Sequence, residues 1–114
     1  MTIKDNLEDD IKDGLYTGIM SSGIAAYIYG LEPRLNILDR LSVPTWAYIG
    51  ATTAIGTTIA QILVDDNEPF ISALFSAGFT VFANYAANSP VTPAIVAAVA
   101  APTAVTRQLY KNKN

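Results

Sequence analysis

The sequence predicts an all-α fold: a small multi-span transmembrane bundle of four helices, with three spans plus a peripheral or re-entrant fourth helix as the alternative. Three observations lead there. First, the seven basic and ten acidic residues fall in four short islands, leaving charge-free stretches at 14–31, 41–64 and 69–106. A helix on the surface of a globular domain carries charges on its outer face, whereas a bilayer span needs about 20 apolar residues with charge kept to its ends. Second, 51% of residues are apolar and only 15% charged, against roughly 25% charged in an ordinary globular domain. Mean hydropathy is nevertheless only +0.30, because the stretches are built from Ala, Gly, Thr and Ser rather than Leu and Phe. Third, small residues recur at four-residue spacing along them, as helices need if their backbones are to approach closely within lipid.

A single membrane domain, 1–114, accommodates these segments. Met1–Asp13 carries five acids against two lysines, the wrong sign for a secretory leader, so the first span reads as a retained anchor. Ile3, Leu7 and Ile11 make one apolar stripe at helical spacing, which predicts a short amphipathic extension of that span; a frayed acidic tail is the alternative. The first span, 14–31, places Gly14, Gly18, Ser22, Ala26 and Gly30 on one face, a ladder for helix packing.

Residues 32–43 form a connector. Pro33 suits the first turn of a helix, and Leu35, Leu38 and Leu41 with Arg34 and Arg40 suggest an amphipathic segment lying on the membrane, or else a plain loop. Pro44 opens the second span, 44–64, with packing ladders Gly50–Ala54–Thr58 and Thr52–Gly56–Ala60. Its threonines 52, 53, 57 and 58 can each bond the carbonyl four residues back. Gln61 cannot hide its amide in this way and is expected to bond across helices or reach the headgroups. Residues 65–69 read as a solvated acidic turn, since the acids lack the spacing of a calcium loop.

The third span, 70–87, buries one amide, Asn84. Asn88-Ser89-Pro90-Val91-Thr92-Pro93 is turn punctuation. It is followed by a fourth helix, 94–110, that Pro102 should kink, and a basic tail, 111–114. Aromatic residues fall near the span ends: Tyr27, Tyr29, Trp46, Tyr48 and Tyr85 at one interface, and Tyr16, Phe70 and Tyr110 at the other. Arg107 is expected to snorkel to the second interface. With four spans, five basic residues share the side of the termini against two opposite, which puts both termini on the cytoplasmic-equivalent side.

The chemistry implied is sparse. There is no cysteine and no histidine, so thiolate catalysis, Cys-based metal sites, histidine ligation of haem and histidine general bases are excluded. No catalytic, cofactor or metal site is expected, and no span contains the ionisable residue a transporter or proton relay would need. A net charge of −3 gives no footprint for nucleic acid. The expected partners are membrane lipid and other transmembrane helices, in a larger assembly or in further copies of the chain. The functional expectation is a non-enzymatic structural or assembly subunit of a membrane complex or of a virion's internal membrane. A holin-like pore former and a soluble helical subunit buried in a complex are the alternatives.

Overall fold

The computed structural model describes residues 3–38, 40–63, 69–89 and 91–113. Most of the chain is helical. Among the described residues there are four helices, α1 (Ile3–Tyr29), α2 (Thr45–Leu63), α3 (Pro69–Ala86) and α4 (Pro93–Lys113), with a two-stranded hairpin between α1 and α2. Each helix packs on its sequence neighbour, and α4 returns against α1 to close the ring. All four helices are therefore packed members of one bundle. The acidic turn expected at 65–69 lies outside the described residues apart from Pro69, which opens α3.

Among the described residues, no helix is long and apolar enough to cross a membrane. The physical reason lies in composition. The first third of α1 is charged, α4 turns polar beyond Thr106, and α2 and α3 are diluted by Thr, Ser, Gln and Asn on their inner faces.

Helix α1 runs without interruption from the acidic segment into the first charge-free stretch. It stops where Gly30 takes φ +89°, with its N–H on the Ala26 carbonyl at 2.8 Å, the usual left-handed glycine stop. A Cβ on Gly30 would meet only Pro33, at 3.9 Å. Gly30 is therefore a terminator rather than a rung of the packing ladder.

The connector 32–43 is neither an amphipathic helix nor a plain loop. Strands β1 (Arg34–Ile37) and β2 (Leu41–Pro44) pair antiparallel, from Arg34 opposite Pro44 to Ile37 opposite Leu41. Leu35, Ile37 and Val43 turn toward the bundle at every second residue, a strand period that outweighs the leucine spacing of three. Pro44 belongs to this hairpin, and α2 begins one residue later. Arg34 secures the outer face through Nε to Ser42 Oγ (3.0 Å) and Nη2 to the Ser42 carbonyl (2.8 Å). The hairpin caps one end of the bundle: Leu38 N–H donates to the Ala87 carbonyl and Thr45 N–H to that of Pro33, both at 2.9 Å.

Leu38 holds φ 54°, a conformation that costs an L-residue about 1–2 kcal/mol. Its side chain is exposed. Leu38→Gly should therefore stabilise the protein by about 1 kcal/mol, read as a melting temperature a few degrees higher. An unchanged or lower midpoint would mean that the hairpin tip is not strained.

The larger apolar side chains of the core gather at the hairpin end, where Ala25, Tyr48, Ile49 and Val99 form a buried cluster roofed by Leu35, Ile37 and Val43. Below it the helices meet through small residues. Gly14 and Gly18 of α1 lie against α2, where an added Cβ would stand 2.7 Å from the Ala54 carbonyl oxygen and 2.8 Å from Ala54 Cβ and the Gly50 oxygen, respectively. Gly50 faces Ser22 and Gly18 reciprocally, and Ser22 Oγ donates to the Trp46 carbonyl at 3.1 Å. Gly56 lies on α3, its missing Cβ 2.6 Å from Thr80 N. Thr58 caps the α1–α2 contact and returns its hydroxyl to Ala54 (2.8 Å). The small-residue face of α1 is thus filled by α2 of the same chain, and Ala26, half-buried, continues it toward the hairpin.

Candidate functional site

The chemistry of this chain is concentrated along the axis of the bundle. Each helix turns a row of polar residues inward at near four-residue spacing: Asp13, Thr17 and Ser21 on α1; Thr53, Thr57 and Gln61 on α2; Ser72, Ser76, Thr80 and Asn84 on α3; Thr103 and Gln108 on α4. All are buried. The outer surface is the reverse. Ile19, Phe70, Leu74 and Phe82 are each about two-thirds exposed, and Phe75 stacks on Phe79 with ring centroids 6.4 Å apart.

The axis is cross-linked by hydrogen bonds between helices. Near the hairpin, Tyr48 donates its hydroxyl to Asn84 Oδ1, while Asn84 Nδ2 donates to the Val91 carbonyl at 3.0 Å. One carboxamide thereby ties α2, α3 and the α3–α4 turn together. Tyr48 is consequently a buried core residue, not the interface anchor its position in the sequence suggested. In the middle, the Thr57 and Ser76 hydroxyls are hydrogen-bonded at 2.6 Å. Ser21 meets Thr103 at 3.0 Å. Because Thr103 directs its own hydroxyl to the carbonyls of Val99 and Ala100 (3.0 and 2.9 Å), Ser21 is the donor of that pair. Lower down, Gln61 Nε2 donates to Ser72 Oγ at 2.6 Å, so this amide bonds across helices.

Among the described residues, three buried oxygens on this axis have no hydrogen-bond partner: Thr53 Oγ1, Gln61 Oε1 and Gln108 Oε1. Return of the hydroxyl to the preceding turn, expected for Thr52, Thr53, Thr57 and Thr58, holds for Thr52, shared between Tyr48 and Ile49 (3.0 and 3.1 Å), and for Thr58. Thr57 bonds to α3 instead.

The end of the axis away from the hairpin is closed by charge. Arg107 Nε lies 3.0 Å from Asp13 Oδ1, and its guanidinium carbon sits 4.4 Å above the Tyr16 ring, within the range of a cation–π contact. The Asp13 side chain is 1% exposed and that of Arg107 19%. Arg107 therefore binds a buried carboxylate rather than snorkelling outward. Of the other aromatic anchors, Tyr27 is almost fully exposed, while Trp46 and Tyr29 pack partly against the apolar cluster.

Sequence reading singled out Gln61 and Asn84 but missed Asp13, Ser72, Ser76, Thr103 and Gln108. A signal for α3 was available, since Ser72, Ser76, Thr80 and Asn84 are spaced at fours. No such spacing joins Asp13 to Arg107, which are partners 94 residues apart.

The arrangement offers little reactive chemistry. Its hydroxyls have no imidazole or thiolate beside them in a chain without His or Cys. Among the described residues, no three His, Cys, Asp or Glu side chains gather as a metal site would require. What the geometry does is hold four helices in one register by hydrogen bonds. No protein-family model matches the chain, and no curated protein or solved structure is significantly similar to it.

Proposed function

We propose that this protein is a non-enzymatic, membrane-embedded structural or assembly subunit, whose outer surface meets lipid tails and the helices of partner proteins. The observation carrying this reading is its inverted polarity. Large apolar side chains stand outward, including four of the residues on α3 between Phe70 and Phe75, while hydroxyls and amides are fully buried. A water-facing bundle places these the other way round, and exposed apolar surface on this scale marks contact with a membrane or a partner.

Low mean hydropathy is compatible with this reading. A helix average mixes the lipid-directed face with an inner face of hydroxyls satisfied inside the protein. At 1.5 Å per residue, the 19 residues of α2 extend about 28 Å, close to a hydrocarbon core of about 30 Å. Because the Gly14–Gly18 face is occupied within the chain, assembly contacts are assigned to the outer faces.

A second reading has its own support. The absence of any described helix long and apolar enough to cross a membrane favours a helical subunit whose outer face is covered by other proteins. Alkaline carbonate washing of membranes from expressing cells separates the two. Retention of the protein in the pellet is the expected result, and its release supports the second reading. Since the chain has no native cysteine, single cysteines at Ser89 and Lys113 then report topology. Labelling of the two from opposite sides by an impermeant reagent is expected for four spans, and same-side labelling overturns that topology.

A further inference from the structure

We infer that the half of the bundle interior remote from the hairpin is a binding site for ordered water, a polar well closed at one end by the Ala25–Ile49 cluster. This concerns the interior alone and holds whether lipid or protein covers the outside. Three side chains carry the argument: Thr53, Gln61 and Gln108, which are 0%, 5% and 1% exposed and each hold an oxygen without a partner.

The unpartnered oxygens are segregated. At the hairpin end, the buried polar groups close on one another, as Tyr48, Asn84 and the Val91 carbonyl do. Helical rise places Thr53 about 12 Å below the start of α2, Gln61 about 24 Å below it, and Gln108 about 22 Å below the start of α4. All three therefore lie below the apolar cluster, and the two glutamines fall at one level, beside Asp13 on α1. Native interiors leave very few polar atoms unpaired, and roomy polar sites are where buried water is found. The surrounding side chains are short: Ser72, Ser76 and Ala104.

The chemistry of the occupant follows from the donor set. Two amide oxygens and a hydroxyl require hydrogen-bond donors. Turning either carboxamide over leaves a polar end to be satisfied all the same. Water supplies donors, and a molecule at each level can satisfy the oxygen there. A monovalent cation would use similar ligands, but the carboxylate of Asp13, at the level of the two glutamines, is paired with Arg107. The donor set therefore selects neutral water.

The test uses the full chain in detergent micelles or lipid nanodiscs, with the threonine and isoleucine methyl groups isotopically labelled. Magnetisation transferred from water should reach the Thr53 methyl several-fold faster than that of Ile49, which sits in the dry cluster. Equal transfer at the two methyls overturns the proposal. Thr53→Val provides an independent readout, because it keeps the shape and deletes one oxygen. A hydrated oxygen predicts a lower melting temperature for the variant, as its water loses a partner. A dry, unpaired oxygen predicts a higher one, which overturns the proposal. Replacing sodium and potassium by N-methylglucamine should change neither result, and loss of the transfer signal on replacement would assign the site to a cation instead.

Discussion

Gly18→Leu is expected to separate α1 from α2. Even a lone Cβ at this position would stand 2.8 Å from the Gly50 carbonyl oxygen and from Ala54 Cβ, a distance only backbone movement relieves. Overpacking of ordinary core sites costs about 1–3 kcal/mol. Here the obstructing atoms include main chain, and leucine adds three more carbons beyond the Cβ, so the loss should exceed that range and take a large part of a typical folding free energy of about 5–15 kcal/mol. The measurement is thermal or denaturant unfolding followed by circular dichroism. Gly23 and Gly78 are the controls, since a Cβ at either meets nothing within 4 Å. Gly23→Ala and Gly78→Ala should be neutral or stabilise their helices by up to about 1 kcal/mol. A Gly18→Leu protein as stable as the parent would mean that α1 and α2 do not meet in this register.

The second large effect belongs to the ion pair. Arg107→Leu takes the guanidinium away from the buried Asp13 carboxylate, and breaking such a pair from one side costs about 3–5 kcal/mol. Asp13→Leu should cost less, because the more exposed Arg107 can turn toward solvent. Combining the two replacements should recover much of the loss, since a well-packed apolar pair often substitutes for a buried ionic one. Unfolding of the single and double variants completes a double-mutant cycle. Strict additivity of the two single losses would show that the pair is not coupled. The exposed Lys12–Glu8 pair, 3.7 Å apart, serves as a contrast that should contribute little.

The helices and their close contacts were legible because both are written in local spacing. Charge islands mark where helices end, and glycine at intervals of four marks where backbones touch. The partner of the α1 ladder was not legible. A small-residue face states that another helix approaches, not whose helix it is, and here Gly50, Ala54 and Thr58 of the same chain supply it. The hairpin was missed because Leu35, Leu38 and Leu41 satisfy a helical spacing, while the alternation Leu35-Asn36-Ile37 and Leu41-Ser42-Val43 satisfies a strand; the Leu38 N–H bond to Ala87 and the roof over Ile49 decide between them. The polar axis was half legible. Spacing singles out Ser72 through Asn84, but pairs such as Ser21–Thr103 and Asp13–Arg107 join the first helix to the last, and only the closed ring brings them together.

That closure has a consequence for the order of events in folding. The large α1–α2, α2–α3 and α3–α4 contacts join neighbours in sequence and can form as soon as the second member of each pair exists. The α1–α4 seam must wait for nearly the whole chain, and contacts over such a separation slow folding. Among the described residues, a hydroxyl pair and an ion pair link this seam and act as a latch. Only with the fourth helix in place does the polar axis have an inside.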